Sequence, residues 1–401
     1  MSWIEDDRFT RDHPFGPQTL PYGVIDTGDG PNIAVRTGDH ALPLRPLADL
    51  FGPRLAELLT RSSLDPLLAT SRATWAELRE RLTELVTRAA RPRGAELVPL
   101  AKLTTLLPFT VGDYVDFFSS RDHAENATRI FAPDADPLPP NWTHLPIGYH
   151  GRAGTVVVSG TDVERPHGQR FDGTVTFGAT QRLDIEAEVG FVCGGPVAAR
   201  VPTAAVAEHV FGVVLVNDWS ARDVQAWESR PLGPFLGKSF ATSVAAWITP
   251  LAALADARVP VPPQPQPPQR YLVEDRPWGL DIDIEVRWND TLVASPPFAG
   301  MGWSCAQQLA HLTVNGATVR PGDLFASGTV SGPARHQRGS FLELSWGGTD
   351  PVTLDDGSKR TFLEDGDTVV ITGSAPGPDG SRVGLAEVAG RVLPADAPGR
   401  G

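Results

Sequence analysis

Cysteine is nearly absent. Cys193 and Cys305 are the only two in 401 residues, and they lack the paired spacing of a zinc or dithiol site. Both read as core thiols in a chain suited to a reducing compartment. Lysine is as scarce: Lys102, Lys238 and Lys359 are the only three among 35 basic residues, which reads as coding bias rather than function. No apolar run reaches the ~18 residues of a membrane span, and the start, MSWIEDDRFTRDHPFG, lacks the basic-then-apolar pattern of an export signal. The cytoplasm is therefore the expected location, and the sequon-like stretches at Asn126, Asn141 and Asn289 are expected to carry no sugar. Basic residues are outnumbered by 48 acidic ones, for a formal net charge of −13. Phosphate backbones and anionic bilayers repel such a chain, so neither nucleic acid nor membrane is an expected partner.

Several catalytic signatures are missing as well. The stretch GPFLGKS at 233–239 is one residue short of a phosphate-binding loop, and its proline removes an amide donor. Neither HExxH nor GxSxG occurs, so zinc proteolysis and serine-elbow hydrolysis lose their markers. What is abundant is glycine and proline, 40 and 38 residues, well above ordinary usage. Frequent turns between short elements favour a mainly β fold.

Along the chain, apolar and turn segments alternate until TWAELRERLTELVTRAA. There Thr74 and Glu77 match a capping box, and Trp75, Leu78, Leu82, Leu85, Val86 and Ala89 fall on one helical stripe. A boundary near residue 105 divides an N-terminal unit, 1–105, from a larger one, 106–401. From about residue 112, short apolar strands recur between turns: TVVVSG, LDIEAEVGFV, VFGVVLVND, AAWITPL, LDIDIEVRW, DLFASGTVSG, FLELSW and DTVVITG. TAAVAEHVF (203–211) and SCAQQLAHLTV (304–314) read as short helices. The stretch VPVPPQPQPPQ, 259–269, reads either as an interdomain linker or as an excursion over one domain's surface.

Two runs alternate carboxylates with apolar residues. Asp184, Glu186 and Glu188 would share one strand face, as would Asp281, Asp283 and Glu285. Either run fits a solvated face or a hard-cation site, and spacing alone does not rank them. In VFGVVLVNDWSARDVQAWE an apolar strand ends abruptly at Asp218, with Arg222 and Gln225 just beyond; Asp218 serves equally as a turn or cap residue. GDYVDFFSSRDHAENA offers Asp116 and His123, the latter a loop histidine if taken alone.

Together these segments resemble the fumarylacetoacetase (fumarylacetoacetate hydrolase) family, collinearly and over essentially the whole chain. The resemblance runs through FGPQTLPYGV, DFFSSRDHA, LPPNWTHLPIGYHGRAGTVVVSG, LDIEAEVGFV, VNDWSARDVQAWE, GPFLGKSF, RPGDLFASGTVSG and LELSW. It implies a small N-terminal SH3-like β-barrel domain, a large mixed β-roll catalytic domain and a homodimer, with the proline-rich stretch inside the catalytic domain. It places metal carboxylates on Asp116, Glu186, Glu188 and Asp218, with Lys238 and Thr242 beside them. An all-oxygen set suits Mg2+ or Ca2+. The resemblance also places a general base on His123, oriented by Glu343. Arg222, Gln225 and Lys238 fall around the reacting carbonyl and leaving group, and Tyr149 and Thr329 on substrate-contacting positions.

Three positions depart from the family pattern, all on the substrate side. Phe118 and Ser229 stand where it has tyrosines and Ala132 where it has arginine. Losing that arginine removes a charge-assisted bond worth ~1.5–3 kcal/mol, unless Arg129 or another arginine compensates. The expected activity is metal-dependent hydrolysis of a carbon–carbon bond in a β-diketone, first of all 4-fumarylacetoacetate, in tyrosine and phenylalanine degradation. A different β-diketone or oxo-acid, or a metabolite-binding role without catalysis, are the alternatives.

Overall fold

A computed structural model describes Trp3 and residues 13–396. The fold is mainly β, and its largest sheet has 13 strands. Val210–Asp218 is buried along its whole length, which explains why its sequence is continuously apolar rather than alternating. It pairs antiparallel with Ala187–Cys193, which pairs with Leu324–Ala326. Tyr114–Phe117 then runs parallel to Leu324–Ala326 and pairs with Gly148–His150. On the other side, Val210–Asp218 pairs with Thr242–Val244 and Trp247–Pro250.

The sheet does not stop at the N-terminal unit. Tyr22–Asp26 pairs with Trp247–Pro250 through Tyr22↔Ile248 and Gly23↔Trp247. It then leads outward through Pro31–Thr37 and His40–Pro43 to Val98–Pro99, a path that does not close on itself among the described residues. A second, five-stranded sheet, including Asp283–Trp288, Thr368–Pro376 and Arg382–Leu393, shares the core. Trp288 stacks on Phe341 at 4.0 Å between ring centroids. Asp281 is only partly exposed, but Asp283 and Glu285 are solvent-facing, between buried Ile282, Ile284 and Val286.

Four local readings need correction. The N-terminal helix is Arg72–Thr87, capped by Ser71; Thr74 and Glu77 instead both bond Arg54, and Ala89 is exposed beyond the helix end. The 203–211 segment forms only a 3-10 turn and the short helix Val206–His209, because the buried strand claims Val210 and Phe211. FLELSW is not a strand: Ser340 caps the helix Phe341–Leu344. Nor is 183–193 one strand, since it breaks between Leu183–Asp184 and Ala187–Cys193.

That break separates three carboxylates expected on one face. Asp184 accepts from the amides of Phe341 and Leu342, at 2.7 and 3.0 Å, and from Arg222. Glu186 and Glu188 turn elsewhere. The proline-rich stretch lies along the surface, where Gln264 donates to the Gly302 carbonyl at 3.1 Å. Cys193 and Cys305 are free and buried, as expected.

Candidate active site

Register brings the site together at strand ends. Asp116 lies opposite both Ala326 and Tyr149, Asp218 opposite Thr242, and Glu188 opposite Val216. One carboxylate oxygen each from Asp116, Glu186, Glu188 and Asp218 lies within 4.8 Å of the others, and all four residues are buried. Lys238 enters from the GPFLGKS loop, donating to Glu186 at 2.5 Å and Asp218 at 2.6 Å. Gly237 makes that approach possible: a Cβ there would stand 2.8 Å from the Gln225 amide nitrogen. Thr242 donates to Asp218 at 3.3 Å.

A second cation was not anticipated from sequence. Arg152 reaches Asp116 at 2.8 Å and Asp218 at 2.7 Å through one guanidinium nitrogen. Its guanidinium carbon lies 5.3 Å from the centroid of Tyr149. Arg152 takes a left-handed backbone, φ 62°, after Gly151 at φ 131°. Arginine seldom adopts that conformation, and such outliers gather at functional sites.

The charges do not balance within the protein. Arg222 pairs with both Asp184 at 2.7 Å and Glu186 at 2.8 Å. With all five carboxylates ionised, Arg222, Arg152 and Lys238 leave two negative charges uncompensated, the charge of one divalent ion. Both oxygens of Glu188 are buried without a hydrogen-bond partner among the described residues. A bare buried carboxylate is among the most unfavourable groups a fold can contain. The donor set therefore fits a hard divalent cation, held by these four carboxylates.

The protonation behaviour agrees. Burial, with Asp218 and Glu186 nearby, pushes Asp116 up to about 6 despite Arg152 and Lys238. Burial and the other three carboxylates also hold the Glu188 carboxyl well above its usual range. Glu186 goes the other way, because Lys238, Arg222 and His123 together outweigh its burial.

His123 borders this cluster on the helix Arg121–Phe131, capped by Ser120. Its Nδ1 lies 2.7 Å from Glu343 Oε2, and its Nε2 lies 3.8 Å from Glu186 Oε1. Glu343 also accepts from Asn126, Ser331 and Ser340 at 3.0, 2.9 and 2.8 Å. Against the upward push of burial, His123 and these donors hold the Glu343 carboxyl below its usual range. A carboxylate fixed in this way holds the ring in one tautomer, leaving Nε2 to face the carboxylate cluster.

Arg222 donates to Glu186 at 2.8 Å and to Gln225 at 3.0 Å, yet among the described residues its Nη2 is buried without a partner. Thr329 Oγ1 is likewise buried without a partner among them. Gly328, at φ 79°, brings that segment against Phe117, where a Cβ would stand 2.1 Å from the carbonyl oxygen. Phe118 packs edge-on against the His123 ring at 5.3 Å.

The other two departures lie at helix ends. Ser229 bonds back to the Gln225 carbonyl, and Ala132 ends the helix that carries His123. Arg129 pairs with Glu125 at 2.7 Å on an exposed face.

Known proteins match over both parts of the chain. Residues 18–108 match the family "Fumarylacetoacetase N-terminal" and residues 114–392 match "Fumarylacetoacetate (FAA) hydrolase C-terminal". The chain belongs to the fumarylacetoacetase family. The fumarylacetoacetase of Homo sapiens is 45% identical over 408 residues, covering 96% of this chain and 97% of that protein. That of Caenorhabditis elegans is 44% identical over 95% and 97%, and that of Dictyostelium discoideum 36% over 96% and 97%. Among solved structures, the fumarylacetoacetate hydrolase of Exiguobacterium antarcticum aligns with a TM-score of 0.55 at 18% identity, covering 94% of this chain and 99% of that one. A maleylpyruvate hydrolase from Sphingobium aligns with 0.55 at 15%, over 94% and 100%. At such identities the structural likeness speaks to fold alone.

Proposed function

We propose that this chain hydrolyses 4-fumarylacetoacetate to fumarate and acetoacetate, the carbon–carbon bond cleavage that ends tyrosine and phenylalanine degradation. The observation that carries this reading is His123, with Nδ1 bound to Glu343 and Nε2 facing the carboxylate cluster. Full-length similarity to fumarylacetoacetases supports it.

The residues divide the work. His123 takes a proton from water through Nε2, and Glu343 stabilises the resulting imidazolium. The hydroxide attacks the carbonyl beside the bond that breaks. Arg222, through its free Nη2, with Gln225 and Lys238 beside it, stabilises the tetrahedral oxyanion; one well-placed donor is worth ~2.7–4 kcal/mol. Collapse re-forms the carbonyl as the fumarate carboxyl group. The bond's electron pair moves to the departing methylene carbon and is delocalised into the second carbonyl. A proton from imidazolium completes acetoacetate. A divalent cation, when bound, would supply Lewis acidity to the β-diketone. Asp116, Glu186, Glu188 and Asp218 would hold it, with Lys238 and Thr242 fixing Asp218 and Glu186. Mg2+ and Ca2+ are the candidate ions. Tyr149 and Thr329 are assigned to substrate contact.

A second reading has a specific basis. Arg129 is engaged with Glu125, and neither Phe118 nor Ala132 offers a polar side-chain group. A β-diketone without the carboxylate that the family arginine would hold suits that side of the site. The deciding assay follows fumarylacetoacetate absorbance before and after EDTA treatment and restoration of Mg2+ or Ca2+. Rapid metal-dependent loss supports the first reading. No turnover by a folded, metal-loaded protein redirects the search to diketones lacking that carboxylate.

The finer architecture is part of the same proposal: an SH3-like unit over 1–105, a β-roll catalytic unit over 106–401, and a cytoplasmic homodimer. Exposed Phe171, Phe177 and Leu232 are apolar surface that a second copy would cover, and sedimentation equilibrium would measure the assembly. No helix among the described residues is long and apolar enough to cross a membrane.

A further inference from the structure

A cavity of about 340 Å3 lies between the N-terminal helix Arg72–Thr87 and the end of the main sheet away from the catalytic residues. Its walls include Tyr22, Trp75, Phe211 and Leu251. Trp75 meets Phe211 edge-on at 5.3 Å, and Tyr22 lies 5.5 Å from the same ring. This gives the cavity flat, rigid aromatic surface. The volume falls in the range of small-molecule pockets.

Among the described residues, three arginines, Arg72, Arg79 and Arg258, also line the cavity and no carboxylate does. Arg72 is partly neutralised by Glu208 at 2.8 Å, on the exposed side. Arg79 donates only to the backbone carbonyls of Thr19 and Gln18, at 2.8 and 2.5 Å. Arg258 lies 4.3 Å over the Trp278 ring. Among the described residues, neither Arg79 nor Arg258 has an ion-pair partner. Tyr22 is 2% exposed, and its hydroxyl has no hydrogen-bond partner among the described residues. A hydroxyl and guanidinium groups without ion-pair partners around an apolar floor describe a site for a charged ligand rather than an empty packing defect.

We propose that this cavity is a second small-molecule site, for an organic monoanion with a flat apolar body, such as an aromatic carboxylate or sulfonate. The aromatic walls take the body, Arg79 and Arg258 the anionic group, and the Tyr22 hydroxyl a polar substituent. Val210–Asp218 has its first two residues at the cavity and its last in the carboxylate cluster. The two sites thus stand roughly 25 Å apart at the rise of an extended strand, and occupancy of one leaves the other free.

The test is a fluorescence titration of the full-length, metal-loaded protein with 8-anilinonaphthalene-1-sulfonate, compared with the uncharged N-phenyl-1-naphthylamine. The expected result is saturable one-to-one binding with the sulfonate at least about tenfold tighter. Ala76→Trp, which fills the cavity from its exposed lip, should weaken both probes about tenfold or more. Arg258→Gln, a change at the surface, should weaken only the sulfonate. Equal affinity for the two probes, binding unaffected by Ala76→Trp, or displacement of the sulfonate by EDTA would each overturn the proposal.

Discussion

His123 Nδ1 lies 2.7 Å from Glu343 Oε2, while its Nε2 lies 3.8 Å from Glu186 Oε1. One ring thus joins an orienting carboxylate to the carboxylate cluster. Glu343→Gln keeps the size of the side chain but removes the charge that stabilises imidazolium. We expect kcat to fall ~10^2–10^4-fold, with KM and the circular dichroism spectrum little changed. His123→Ala should do the same. Asp283→Ala, at an exposed pair with Arg382, should leave kcat unchanged. Equal damage from all three substitutions would refute the assignment.

Glu188→Gln should have opposite effects on the two forms of the enzyme. The metal-free protein should melt at a higher temperature, because a buried carboxylate without partners is replaced by a neutral amide. The stabilisation seen on adding Mg2+ or Ca2+ should be lost. Scanning calorimetry with and without EDTA reads both effects, and a lower melting temperature without metal would argue against an unpaired Glu188.

The raised carboxyls of Asp116, up to about 6, and of Glu188 fix a pH dependence. A carboxyl whose folded pKa lies above its unfolded value favours folding fully below the unfolded value, near 4. That contribution is lost as pH rises through the folded value. Metal-free protein should therefore lose stability as pH rises from about 4.5 through about 6. Metal binding should release protons and tighten over the same interval. Calorimetric titration in two buffers of different ionisation heat would count the protons, and a count of zero at pH 6 would contradict the shifts.

Arg152→Gln removes one of the three cations that offset the four carboxylates and Asp184. The uncompensated charge then rises from two to three, so preference should move toward trivalent ions. Tb3+ should gain about tenfold or more over Ca2+ relative to the parent protein, measured by luminescence competition. An unchanged ratio would mean that Arg152 does not set the charge of the site.

The β-rich class and the buried strand 210–218 were legible because continuous apolar residues between turns leave few other solutions. The exposed positions of Asp283 and Glu285 were one of two open readings. Asp184 was not separable from Glu186 and Glu188 by alternation, because two distant amides at Phe341 and Leu342 claim its carboxylate. His123 and Glu343 stand 220 residues apart, so no local pattern links them, and only resemblance joined them. The helix that carries Glu343 did leave a local sign: Ser340 and Glu343 stand at capping-box spacing, which argues against the strand reading. Arg152 left only a faint one, a charged residue directly after Gly151. Asn126, Ser331 and Ser340 are ordinary polar residues whose convergence on Glu343 exists only in three dimensions.

The pairing of Tyr22–Asp26 with Trp247–Pro250 bears on any attempt to shorten the protein. Trp247–Pro250 has Val210–Asp218 on one side and the N-terminal strand on the other. Removing the first hundred residues would leave it as an open, apolar edge, the kind of surface that recruits strands from other chains. The N-terminal unit thus acts as a guard on solubility, and a catalytic fragment expressed without it should aggregate rather than work alone.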